Sequence, residues 1–334
     1  MKNHRSLLAA AVALPAAGLI LAGCGSSTAS ESTEADSAAI SVVATTNVYG
    51  QIARAIGGES VEVSEIITSA AQDPHSYEPT ARDKLAISNA TLVLANGGGY
   101  DQFMDSLVSS IPEGNAGEIT LVHAVDSSPV AEESEAAGHE GESAEEHAQH
   151  AEEDSHEGHD HAAYNEHIWY DLESMGDLAD ALAESFGKAD SANAEQYQRN
   201  AVSFNEEIDK LEQQLETANL DGKSFVMTEP VPFHLLHAAG MEDATPEGLS
   251  EAIEEGEGIA PMTMKKAEDL LSAGDADILA YNVQTEGSET KALKKSAEQG
   301  QIPVVDFAET IQDDSSYLEW MESNISALAS AING

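Results

Sequence analysis

The chain has 334 residues, with 14 basic against 61 acidic side chains and a formal net charge of −47. Such a surface repels phosphate backbones, which excludes nucleic acid as a partner. Its one cysteine, Cys24, excludes an intramolecular disulfide and a cysteine-built zinc site.

Lys2 and Arg5 form a positive start, and residues 7–23 are an apolar run interrupted by Pro15, short for a spanning helix. Leu21-Ala22-Gly23-Cys24 has the form of a lipobox, so residues 1–23 are expected to be a lipoprotein signal peptide removed before Cys24. The protein would then work at the cell surface or in the periplasm, lipid-anchored through Cys24. Residues 24–39 are Ser-, Thr-, Ala- and Glu-rich and read as a flexible tether. The mature chain from Cys24 has about 310 residues, enough for two lobes of ordinary domain size.

Residues 40–46 are rich in β-branched side chains and predict a strand, and 48–56 have helical spacing that stops at Gly57-Gly58. Strands over 61–68, 91–95 and 118–125 alternate with helices over 80–88 and 100–109. That alternation implies βαβ units around a mainly parallel sheet, forming a first lobe over residues 40–172. Residues 127–163 have almost no large apolar side chains and read as a disordered insert within that lobe. Leu178, Leu182, Phe186, Phe204, Ile208, Leu211 and Leu215 then form an apolar stripe over 174–218. The spacing predicts one long rigid helix over 173–219 joining two lobes; two helices with a turn at Gly187 are the other reading. A second lobe, 220–334, repeats the alternation, with strands over 223–228, 277–283 and 302–307 and helices over 233–239, 263–273, 288–298 and 317–331. Residues 241–261 are acidic and show no core pattern. The expected fold class is α/β, two lobes with mainly parallel sheets.

Half of the twelve histidines, His139, His147, His150, His156, His159 and His161, lie in the insert among Glu and Asp. Imidazole is the commonest metal ligand near neutral pH, so this tract suggests a protein that handles a transition metal. In open parallel sheets, ligands bind in loops beyond the carboxyl ends of the strands. Four motifs place ionisable groups near such loops. Asp73-Pro74-His75-Ser76-Tyr77-Glu78-Pro79 is stiffened by proline on both sides, with Glu78 able to orient the imidazole or cap the next helix. His167 precedes Ile168-Trp169, an aromatic suited to wall a dry pocket. Glu229 follows the strand ending in Met227-Thr228, with His234 and His237 on the next short helix. Glu309 follows the strand ending at Phe307.

Taken together, these motifs resemble the cluster A-I solute-binding lipoproteins, the metal-binding receptors of bacterial zinc and manganese ABC importers. The resemblance covers nearly all of the mature chain. It rests on His-Ser-Tyr-Glu-Pro at 75–79, Asn-Gly-Gly-Gly-Tyr-Asp at 96–101, Glu-His-Ile-Trp-Tyr-Asp at 166–171, Thr-Glu-Pro-Val at 228–231, Tyr-Asn-Val-Gln-Thr at 281–285 and Glu-Thr at 309–310. It implies a monomeric protein, not an enzyme, that holds one divalent metal between its lobes and delivers it to an ABC permease and its ATPase. His75 and His167 match the family's two histidines in the first lobe. Glu229 matches a position that is commonly His in zinc-type and Glu in manganese-type members, and Glu309 falls where the family has Asp or Glu. Glu286 and Asp306 are the other candidates for the fourth ligand. The prolines expected around the second histidine motif are Glu166 and Leu172 here. The His-rich insert, expected to be an auxiliary metal collector, favours Zn2+ as the cargo, with Mn2+ or iron as the alternative. Two rivals stand beside this reading. A zinc-dependent hydrolase would use His75-x-x-Glu78 as ligand and base, although no nucleophile or phosphate loop accompanies it. A surface adhesin or metal buffer would bind metal without a transporter.

Overall fold

Short apolar runs between helical segments build two parallel sheets, because parallel neighbours need a crossover and the crossing helices cover both faces. The computed structural model describes residues 40–69, 71–112, 119–129 and 164–334. The expected signal peptide, Cys24, the tether and the histidines from His139 to His161 lie outside them. The first sheet comprises β1 (Ile40–Thr46), β2 (Val61–Ile67), β3 (Leu92–Ala95) and β4 (Thr120–His123) in the order β2-β1-β3-β4, every pair parallel. Helices α1 (Asn47–Gly57), α2 (Ala81–Ser88) and α3 (Gln102–Ser109) occur in its connections. Two helices follow, α4 (Leu172–Ala189) and α5 (Ala194–Thr217).

The second sheet repeats the arrangement. Strands β5 (Ser224–Met227), β6 (Glu242–Asp243), β7 (Ile278–Asn282) and β8 (Val304–Phe307) lie in the order β6-β5-β7-β8, again all parallel. Its helices are α6 (Phe233–Ala238), α7 (Ser250–Glu254), α8 (Pro261–Ala273), α9 (Ser288–Gly300) and α10 (Tyr317–Asn333). All residues of β3 and of β7 are buried, as expected of inner strands covered on both faces. In both sheets the strand order reverses beside the first strand, between β1 and β3 and between β5 and β7. Loops diverge there and leave a crevice.

The connection differs from the single long helix expected over 173–219. The helical run breaks at Asp190–Asn193, and α4 folds back along α5. Phe186 meets the edge of Tyr197 at 5.6 Å, and Gly176 lies against Asn205, a pairing that only antiparallel helices give. Asp190 sets the break by accepting hydrogen bonds from Ala192 N (3.1 Å), Asn193 Nδ2 (2.6 Å) and the Tyr197 hydroxyl (3.0 Å). Gly187, the expected bend, sits inside α4. The connector is therefore α5 alone, 24 residues and about 36 Å long. It packs on α1 near its start, and Phe204 stacks on Tyr317 of α10 at 6.0 Å. One apolar cluster runs continuously from Ile40 and Tyr49 through Leu182, Phe204 and Leu215 to Phe225 and Leu328. Both sheets are thus joined to the same core.

Three smaller differences bear on the site. Strand β6 and helix α7 lie in the segment 241–261, where no pattern was legible. The insert starts later than residue 127: Ser128 is buried and accepts a hydrogen bond from Ser174 Oγ at 2.7 Å. Glu78 neither orients His75 nor caps α2. It is exposed, and Thr80 and Asp83 form the capping box. Truncating Phe186, fully buried between α4 and α5, is expected to destabilise the protein by about 3–5 kcal/mol. Urea unfolding of Phe186→Ala should show a lower midpoint with an unchanged slope.

Candidate metal centre

Five polar side chains reach the crevice because each sits at, or just beyond, the carboxyl end of a strand. His75 follows β2, Tyr100 follows β3, Glu229 follows β5, Asn282 ends β7 and Glu309 follows β8. The His75 loop is held by Asp73, whose carboxylate accepts from His75 N at 3.0 Å and from the Ser76 hydroxyl at 2.6 Å. Tyr100 is placed by the turn Gly97-Gly98-Gly99, with φ values of 81°, 65° and 101° that suit glycine. Buried Asp101 ties that turn by accepting from Asn96 N (2.7 Å), Gly97 N (2.9 Å) and the Thr45 hydroxyl (2.5 Å). The Tyr100 ring stands edge-on to His75, centroids 4.9 Å apart, and its hydroxyl donates to Glu309 Oε2 at 3.1 Å.

His167 enters from the segment that follows the insert, its ring at 69° to that of Trp169 with centroids 5.0 Å apart, and both are buried. Its tautomer follows from its neighbours. Asn165 Nδ2 donates to the Pro230 carbonyl at 2.7 Å, so the amide's oxygen must face the ring, 2.6 Å from Nδ1. Nδ1 therefore carries the hydrogen and Nε2 turns a lone pair inward, as in histidines oriented for a metal.

On the opposite wall Glu229 and Glu309 are 2% and 5% exposed. Asn282 links them: its Nδ2 donates to Glu229 Oε2 and, at 3.1 Å, to Glu309 Oε1. Gln284 N donates to Asn282 Oδ1 at 3.0 Å, which fixes the amide in that orientation. Gln284 Oε1 in turn accepts from the backbone N–H groups of Glu309 and Thr310, at 2.8 and 2.9 Å.

One ligand atom from each of His75, His167 and Glu309 lies within 4.8 Å of the others. Glu229 stands outside that trio and adjoins it through Asn282. The sequence did not single out Glu254, the last residue of α7. Its Oε1 lies 3.2 Å from His167 Nε2 and 3.7 Å from His75 Nε2. Glu166 is buried beside it, 4.0 Å from His75 Nδ1. The other candidates stand elsewhere. Glu286 pairs with Lys291 at 3.0 Å, and Asp306 faces Lys294 at 3.8 Å, both at the surface. His234 Nε2 donates to the Asn165 carbonyl at 2.8 Å, and His237 stacks on Phe233. Glu254 was not legible because a five-residue helix leaves no periodic signature. Asn282, by contrast, lies inside the Tyr-Asn-Val-Gln-Thr motif.

The acids raise one another's proton affinity. Burial pushes the Glu309 carboxyl up to about 7, helped by the charge of Glu229. Glu254 rises to about 9, from burial and then from Glu166, Glu229 and Glu309. Burial also raises Glu229, against the hydrogen bond from Asn282. Carboxylates held this way take up a cation readily, since a divalent ion cancels the repulsion that protons otherwise relieve. A raised carboxyl is protonated below its pKa and cannot ligate then. Metal binding near pH 7 is therefore expected to release protons, and affinity to fall as pH drops through about 7. Titration calorimetry in two buffers of different ionisation heat checks the proton count.

Residues 42–331 match the family model described as ZnuA, zinc-uptake complex component A, periplasmic. The manganese-binding lipoprotein MntA of Halalkalibacterium halodurans is 22% identical over 328 residues, covering 94% of this chain and 95% of that one. The periplasmic zinc-binding protein TroA of Treponema pallidum superposes with a TM-score of 0.65 at 18% identity, over 88% of this chain and 99% of TroA. FpvC of Pseudomonas aeruginosa, solved with Mn2+, gives 0.65 at 20% identity, over 88% and 98%. At such identities the two structures establish likeness of fold.

Proposed function

The chain belongs to the family of zinc-uptake complex component A proteins, metal-binding substrate-binding proteins of ABC transporters rather than enzymes, and from that premise we propose that it captures zinc between its two sheets and hands it to a permease and its ATPase. The observation that carries this reading is convergence. Imidazole nitrogens of His75 and His167 meet the carboxylate of Glu309 from the second sheet, with Glu229 one amide away.

Two neutral imidazoles and two carboxylates would cancel a divalent charge, offsetting the cost of burying the ion. Zinc accepts such a mixed set, and at any N/O site the Irving–Williams order places it above manganese and iron(II). The interleaved histidines from His139 to His161 support the same cargo as a loose collector. Manganese is the second reading, supported by the carboxylate at Glu229, since oxygen donors suit that ion better than imidazole does.

The chain is assigned to the outer face of the membrane, anchored through Cys24, and acts as a monomer. Among the described residues no helix is long and apolar enough to cross a membrane. Lobes over 40–172 and 220–334 are the division that fits this action, with α5 as the connector between them and α4 folded back along it. The shared core restricts wide opening, so loading is assigned to the loops around His75, Glu229 and Glu309.

Protein purified without added metal, analysed for elemental content and then titrated with zinc against manganese, tests the reading. One equivalent of tight zinc is expected; absence of any tightly bound transition metal overturns it. His75→Ala and Glu229→Ala should each weaken binding on the order of a hundredfold while far-UV circular dichroism stays unchanged. Deleting residues 139–161 should leave the single tight site intact.

A further inference from the structure

The segment Glu251-Ala252-Ile253-Glu254-Glu255-Gly256-Glu257 holds four glutamates, and only Glu254 turns into the protein. Leu249 is fully buried and Ile253 packs on the same apolar cluster as Leu271 and Leu293, so the short helix α7 is pinned by its apolar side. That anchoring brings the Glu254 side chain, 12% exposed, into the crevice. Its Oε1 is buried and accepts no hydrogen bond. A buried carboxylate oxygen without a donor is costly and calls for a cation.

The direction of approach is specific. His167 Nδ1 carries the ring's hydrogen toward Asn165, so Nε2 turns its lone pair toward Glu254 Oε1, 3.2 Å away. Once Glu254 gives up its proton, the two atoms present lone pairs to each other at a distance that suits an ion bound to both. In a five-coordinate site with bonds of the usual length, neighbouring ligand atoms stand about 3.0–3.8 Å apart. The separations of Glu254 Oε1 from the two histidine Nε2 atoms, 3.2 and 3.7 Å, fall within that range.

We propose that Glu254 is a further ligand of the cargo, a third carboxylate that reaches the ion from α7 together with His75, His167, Glu229 and Glu309. The inference rests on the metal-capture reading above. Two imidazoles and three carboxylates total one negative charge more than a divalent ion supplies. Five donors rich in oxygen suit an ion of high coordination number better than one that prefers four, so Glu254 shifts selectivity toward manganese. The ligand also joins the ion to the segment 244–261, so that loading holds α7 in place.

The test compares the full chain with Glu254→Gln and Glu254→Ala, using Mn2+, Zn2+ and Co2+ as probes. Both variants are expected to bind Mn2+ on the order of tenfold to a hundredfold more weakly, with a smaller loss for Zn2+. The Co2+-loaded variants should absorb visible light more strongly than the wild type, as the site loses a ligand and approaches tetrahedral geometry. Thermal unfolding of the metal-free variants, with midpoints at or above that of the wild type, shows that they fold. Unchanged affinities together with an unchanged Co2+ spectrum overturn the assignment of Glu254 while leaving metal capture standing. A wild type that binds none of the three ions overturns the capture reading itself.

Discussion

The structure depends on carboxylates being brought together in a buried crevice where the charges that weigh most on them come from other acids. Glu229, Glu254 and Glu309 are desolvated, and the ionic influences that matter on each arise from Asp73, Glu166, Glu229, Glu251 or Glu309. Opposite them stand two imidazoles, at least one with its lone pair aimed inward. The repulsion is a standing cost that only protons or a metal ion remove. Binding here is then less the making of new contacts than the supply of a missing charge.

The fold holds that repulsion in place through duplication. Both sheets run parallel with the same strand order, and each presents its switch point to the crevice. Rigid turns do the local work: three left-handed glycines before Tyr100, the Asp73 turn before His75, and Gln284 bridging Asn282 to the Glu309 backbone. Links between the walls then lock the two sets of ligands. Tyr100 reaches Glu309, Asn165 reaches Pro230, and the Tyr170 hydroxyl donates to the Ala308 carbonyl at 2.8 Å. Because α5 and α10 share one core with α1, the walls are held by packing as well as by these bonds.

Much of this was legible in the sequence because strand periodicity and turn residues are local signals. The strands from β1 to β5 and from β7 to β8 were readable, and the positions of His75, Glu229 and Glu309 followed from the rule that parallel sheets bind beyond their carboxyl ends. The break between α4 and α5 was misplaced because glycine within a helix is tolerated when a neighbour packs closely, as Ala194 does on Gly187. Asp190 ends the helix through side-chain hydrogen bonds that no periodicity reveals. Glu78 looked like the partner of His75 by spacing, yet the acids beside that ring come from residues 166 and 254. Such partners are set by tertiary placement of segments without amphipathic pattern, and composition hides them: in the 241–261 stretch, one inward glutamate looks like its solvated neighbours.

The choice of asparagine at position 282 completes the argument. A lysine or arginine there would hold Glu229 and Glu309 together more strongly, since a charge-assisted hydrogen bond exceeds a neutral one. It would also neutralise them and remove the deficit that draws a metal. An amide gives direction without charge: its two hydrogens point at two carboxylates, and its oxygen is already fixed by Gln284. The same logic applies at His167, where Asn165 rather than an acid orients the ring, leaving the imidazole neutral and its Nε2 available. Glu229, Glu309 and His167 are thus oriented by neutral amides and a hydroxyl, so that the charge of the crevice is left for the ion to balance.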